Sequence, residues 1–350
     1  MVQVLDKPGA QGMLDAPSKG SKSGRDWIYN GPTDFALIHG FAGLITVPLV
    51  VAAYNASDSW NPVLLAYGLS LGMPHLMATH VRLNLDPDCR QRLGWLAHRA
   101  LLGIIAAFLL AVVVFPAALP YLVFGWFAAQ TCHANAQNFG VMRRYVRMAG
   151  IYKDGLVDKT AEFIIQVAPW TFVTTCLLSP ATRYLGYDIV LPSGDMVFPL
   201  CVGLWAVTVP AILLYAALEV RAMFRDETVP GRVLCVVSGL LVNGFAWLFV
   251  REVHWGYLIV STWHALQYIA YVHSFRMSPP PGVEPMRLDA LRHIAILLAA
   301  GALVMGVMIQ AREWIPVLGI AMHLGLNFHH YLSDMLIWRK PASLKQASAV

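Results

Sequence analysis

Formal charge is scarce in this chain. Asp, Glu, Lys and Arg make up 13% of its 350 residues, against 57% hydrophobic, and that is roughly half the charged share of an ordinary soluble domain. Such a balance excludes a solvated globular protein, and no basic groove interleaved with aromatics argues for nucleic acid. Cysteine is as sparse: Cys89, Cys132, Cys176, Cys201 and Cys235 form no close pair, which excludes zinc knuckles and redox dithiols, moves iron–sulfur sites down the list and leaves disulfides without a role. Lys and Arg are missing from the middle of the apolar segments, and Asp34, Glu162, Glu219 and Asp334 fall near segment ends. An ion-coupled carrier needs an intramembrane carboxylate or cation pair, so proton-driven transport is disfavoured. No flavin, nicotinamide or ferredoxin motif is visible.

Long apolar segments take the place of charge. Stretches long enough to cross a hydrocarbon core of roughly 30 Å recur almost end to end, at 34–55, 61–82, 100–118, 120–141, 161–179, 197–219, 233–250, 254–275, 293–310 and 315–338. The expected fold is therefore all-α, a polytopic transmembrane bundle of about ten spans. One domain covers 34–338, between a loose N-terminal tail (1–33) and a short C-terminal tail (339–350). With the amino terminus cytoplasmic, 22 of the 25 Lys and Arg residues fall on the cytoplasmic side, leaving Arg183, Arg251 and Arg312 outside. Basic short loops stay in the cytoplasm, so this asymmetry sets both termini inside and an even number of spans. The segment 142–160, with Arg143, Arg144 and Arg147, reads as a cytoplasmic loop, either a lid or an anchor on anionic lipid.

Histidine is what the apolar segments do hold. Spans two, four, eight and ten run inward, and each has imidazoles in its carboxyl half. Span two offers His75, after Pro74, and His80, whose five-residue spacing leaves the rings about 140° apart on an undistorted helix. Span four has Gln130, His133 and Gln137 on one stripe; span eight has His264, Gln267, Tyr268 and Tyr271. Span ten places His323, Asn327, His330 and Asp334 at i, i+4, i+7 and i+11, beside His329. Neutral imidazole binds iron, copper or zinc through one nitrogen while the other donates to a group that fixes its tautomer. The expected metal ligands are His75, His80, His133, His264, His329 and His330, with Gln137, Gln267, Asn327 and His323 around them. Asp334 and Tyr268 are the expected catalytic groups, Asp334 orienting a ligand or serving as one, Tyr268 as a proton or hydrogen-atom donor. His39, His98, His254 and His293, near segment ends, read as hydrogen-bonded interfacial residues.

Four short segments carry a resemblance: Pro74-His75 through His80, His133 with Gln137-Asn138-Phe139-Gly140, Trp263-His264 with Gln267-Tyr268, and His329-His330-Tyr331 with Asp334. Together they look like a group of histidine-rich bacterial polytopic membrane proteins. The proline-histidine piece also resembles that of the Brp/Blh family, membrane enzymes that cleave β-carotene with iron and oxygen, although Leu76-Met77-Ala78 replaces that family's glycine-alanine-aspartate run. Membrane desaturases and hydroxylases are similar in chemistry alone, since their HxxxH and HxxHH boxes are absent. The resemblance implies a multi-pass protein of the bacterial inner membrane. The expected activity is that of a metal-dependent oxidoreductase with one or two non-haem irons, copper second, acting with molecular oxygen on a lipophilic small molecule and drawing electrons from a cytoplasmic donor. The alternatives are a haem-binding electron-transfer protein and a metal or small-solute transporter. A transporter requires histidines through both membrane halves, and only His254 lies clearly in the outer one.

Overall fold

The computed structural model describes residues 26–45, 62–85, 87–151, 154–179, 183–184, 187–188, 191–250, 253–277 and 290–337. The described chain is helical apart from a two-residue antiparallel pair, Arg183–Tyr184 with Tyr187–Asp188. Nine longer helices build it: α1 (Met73–Leu85), α2 (Leu101–Val114), α3 (Leu119–Met148), α4 (Leu156–Cys176), α5 (Phe198–Met223), α6 (Pro230–Gly244), α7 (Val253–Met277), α8 (Ala290–Trp314) and α9 (Pro316–Ile337).

Among the described residues, four helical stretches are long and apolar enough to cross a membrane: Cys89–Val114, Phe198–Met223, Pro230–Val250 and Arg292–Trp314. Leu102, Leu110, Leu213, Val220, Leu303 and Val307 on α2, α5 and α8 are exposed. Apolar faces of this extent are stable against lipid rather than water. The inner helices are different: α1 packs on α7 and α9, and α3 packs on the same two, so these four form a square with α1 and α3 across one diagonal. Helix α2 covers α9, and α8 covers both α1 and α9. Close approach is possible because Gly325 of α9 faces the Ile105 backbone and Gly301 of α8 faces Pro74, where any Cβ would crowd them.

Pro74 is the second residue of α1, and a proline there cannot donate to the preceding turn. The helix absorbs this with a π turn, Gly68–Gly72, directly ahead of α1. At the cytoplasmic end expected from charge, the buried Arg232 guanidinium donates to Asp158 Oδ1 at 2.9 Å and to Glu219 Oε1 at 2.7 Å, joining α4, α5 and α6.

Two expected segments take other forms. Over its described part, 34–55 is a π turn, Asp34–Ile38, then a 3-10 turn, Phe41–Ile45. Between them Gly40 adopts φ +70° beneath the Trp263 indole, a backbone conformation that breaks a helix; residues 46–55 lie outside the described ones. Instead of capping regular helix, the buried Asp34 carboxylate accepts from the backbone N–H of Ile28 (2.6 Å) and Tyr29 (2.9 Å) and from Tyr145 Oη (2.7 Å). The expected loop 142–160 is mostly helix, because α3 continues to Met148 and α4 begins at Leu156. Two of its arginines are engaged on the protein: Arg143 pairs with Asp154, and Arg144 Nη1 donates to Ser274 Oγ at 2.8 Å. The tail segments 1–25 and 338–350, and the proline-rich 278–289, lie outside the described residues.

Candidate metal centre

Each corner of the inner square contributes one buried or nearly buried imidazole: His75 from α1, His133 from α3, His264 from α7 and His330 from α9. One ring nitrogen from each lies within 4.8 Å of the other three. Ring centroids along the four edges are 4.7 Å (His75–His264), 4.9 Å (His264–His133), 4.8 Å (His133–His330) and 4.5 Å (His330–His75), and 6.3 Å across the His75–His133 diagonal. Neighbouring rings on these edges meet at 69° to 80°. The imidazoles are therefore edge to face, and their nitrogens share a common space.

Hydrogen bonding accounts for few of these nitrogens. Both ring nitrogens of His264 and Nδ1 of His75 are buried with no hydrogen-bond partner among the described residues. A buried polar atom left unsatisfied costs about 1–3 kcal/mol, so three on two adjoining rings call for an explanation. His330 Nε2 stands 3.1 Å from His133 Nε2.

The other side of His330 is tied down. Its Nδ1 lies 2.8 Å from Thr79 Oγ1, which donates to Asp334 Oδ1 at 2.8 Å; Tyr268 Oη donates to the same oxygen at 2.7 Å. Thr79 has one proton, and the carboxylate takes it. His330 is then the donor to Thr79, which leaves the Nε2 lone pair facing the cavity. Thr79 is four residues after His75 and on the same face of α1, and spacing is the one signal that finds it. The proposed orienting role of Asp334 thus runs through this hydroxyl.

The remaining expected site residues divide by place. His80 and His329 are not in the four-imidazole group: their rings stack on each other at 4.9 Å and 15°, and His329 Nε2 donates to Leu96 O at 2.7 Å. The expected amide partners bond other atoms than imidazole nitrogens. Gln137 Nε2 donates to the His264 carbonyl (3.0 Å) and Gln267 Oε1 (2.9 Å), and Gln267 Nε2 to the Ile38 carbonyl (2.9 Å). Asn327 Nδ2 donates to the His323 carbonyl at 2.8 Å, while the His323 ring meets Trp126 at 4.6 Å, away from the cluster. These amides hold backbone, and so helix positions. Tyr331 was not among the expected site residues, yet it packs on the His133 ring at 4.8 Å, and Trp126 Nε1 donates to its hydroxyl at 3.1 Å. His254 has no described side chain.

Comparison of the chain with protein-family models, with curated proteins and with solved structures found no match in any of the three.

Proposed function

We propose that the protein is an integral-membrane, metal-dependent oxidoreductase that holds one transition-metal ion, iron before copper, on His75, His133, His264 and His330, and acts with molecular oxygen on a lipophilic small molecule. The observation that carries this reading is the set of buried, unpartnered nitrogens on His264 and His75, two rings that each bring a nitrogen within 4.8 Å of those of His133 and His330. Nitrogens held at about 2.1 Å by one ion stand roughly 3 to 4 Å apart; the 3.1 Å pair and 4.8 Å limit suit one ion after small ring movements. Two ions about 3.5–4 Å apart require more donors than four imidazoles. Neutral nitrogen donors without thiolate favour iron or copper over soft-metal centres.

When bound, iron supplies one-electron and oxygen chemistry. The chain's own residues do the rest. Four helices position the imidazoles, the Thr79 bridge holds the His330 tautomer, and Tyr268 keeps a proton on the Asp334 side of the cavity, 4.5 Å ring to ring from His75. Met73, Leu76, Met77, Val272, Leu297 and Leu326 form an apolar wall that keeps water out. A haem between two of these imidazoles is disfavoured, because the other two fill the plane the macrocycle needs.

The distribution of Lys and Arg supports ten spans with both termini cytoplasmic, in a bacterial inner membrane. In that frame the cluster belongs to the cytoplasmic half, which suits a cytoplasmic electron donor and lateral entry of substrate from the bilayer. The same frame keeps 1–33 and 339–350 as tails of a single 34–338 domain.

Metal analysis of detergent-purified protein tests the reading. About one iron per chain and no Soret band are expected, with His264→Ala and His133→Ala each losing most of the metal. Oxygen uptake by the iron-loaded protein in membrane-lipid vesicles, with ascorbate as reductant, should fall to background in His264→Ala. Equal, negligible metal in wild type and variants overturns the site, and uptake unaffected by the substitution overturns the redox role.

A further inference from the structure

Resting on that reading, we infer that Asp334 is itself a ligand, so that the centre is a four-imidazole, one-carboxylate site. The two Asp334 oxygens have different surroundings. Oδ1 receives the hydrogen bonds of Thr79 and Tyr268, whereas Oδ2 is turned toward the imidazoles, 3.8 Å from His133 Nε2 and 3.8 Å from His330 Nε2. Those two nitrogens are 3.1 Å apart. A triangle with these three sides has a circumscribed circle of radius about 2.1 Å, which is the bond length of a divalent metal to imidazole nitrogen and carboxylate oxygen alike. One point in the structure therefore lies at coordination distance from all three atoms, with no side-chain movement.

Charge gives an independent reason. A divalent ion surrounded by four neutral imidazoles carries both charges into a low-dielectric interior, where uncompensated charge is strongly disfavoured. Asp334 is the carboxylate beside the cluster, and it is almost fully buried. Coordination through Oδ2 halves the net charge, and the Thr79 and Tyr268 donors steady the carboxylate from behind. A carboxylate in a five-donor set shifts preference from four-coordinate zinc and soft copper toward iron, manganese or cobalt in their divalent forms.

Cobalt(II) is the probe, because its visible bands are intense when four-coordinate and weaker with five donors. Wild type loaded with cobalt should show the weaker, five-donor spectrum. Asp334→Asn should still bind cobalt, about 10–100-fold more weakly, with the stronger four-coordinate bands. Asp334→Glu should keep the five-donor form. An infrared difference spectrum of wild type, loaded minus metal-free, should show a shifted carboxylate stretch, and needs no variant to fold. Asp334→Asn with an unchanged spectrum, even at reduced affinity, or no carboxylate shift, overturns the ligand assignment, while loss of cobalt in His264→Ala leaves the four-imidazole site standing. Failure of wild type to bind cobalt overturns both.

Discussion

Helix face separates the imidazoles that join the cluster from the two that stack beside it. His75 and His80 are five residues apart and His329 and His330 adjacent, so on helices of 3.6 residues per turn neither pair shares a face. The structure uses both faces: His75 and His330 join the cluster, and His80 stacks on His329 beside it. Helical periodicity made that division legible for His75 and His80, but it carried no information on which ring of each pair would turn inward. Asp334, at i+4 from His330, was legible as its partner. Thr79 was not, because a threonine on an apolar helix most often bonds its own backbone. Here its hydroxyl links His330 to Asp334, and the consequence is testable. Thr79→Val keeps the shape and removes the link; metal affinity should drop about 10–100-fold, read by chelator competition, and Thr79→Ser should restore it. Equal affinity in all three proteins would show that the hydroxyl does not orient the ligand.

At the scale of elements, hydropathy located the helices and missed what interrupts them. The π turn before Pro74 and the break at Gly40 between the π and 3-10 turns of Asp34–Ile45 come from backbone events that apolar runs do not encode. In that segment the carbonyl of Ile38 accepts from Gln267 Nε2 and that of His39 from Trp263 Nε1 at 2.9 Å each, so irregular backbone is satisfied by side chains flanking His264. The arrangement depends on Gly40 at φ +70° with no room for a Cβ under Trp263. Gly40→Ala should lower stability by about 1–3 kcal/mol, measured by denaturation in detergent. Gly125→Ala, on α3 with open space at its Cβ, is the control and should be neutral or mildly stabilising, by about 0.5–1 kcal/mol. Equal melting of the two variants would contradict a requirement for glycine at position 40. The longer α3 has a related cause: Arg143, Arg144 and Arg147 read as loop by charge alone, but arginine is a good helix former, and two of these side chains find partners on neighbouring segments.

Over the whole molecule, polarity sorts the helices into an inner square and an outer layer. The four stretches with the strongest membrane signature lie outside it, and α1, α3, α7 and α9 fall below that signature because they carry His, Gln, Asn and Thr. The polar content that weakens a helix as a span is the same content that builds the imidazole cluster, so hydropathy understates the helices that carry it. The proposed orientation is tested by labelling from outside with an impermeant maleimide in a cysteine-free background. Met196→Cys, in the exposed turn before α5, should react in intact cells, and Glu227→Cys, after α5, only once they are opened; the reverse pattern would invert the topology. The square also spans much of the chain, with His75 from its first quarter and His330 from the last described helix. A growing polypeptide therefore lacks the complete set of four imidazoles until α9 has been made, so the ion of the proposed centre would be kept off every unfinished copy.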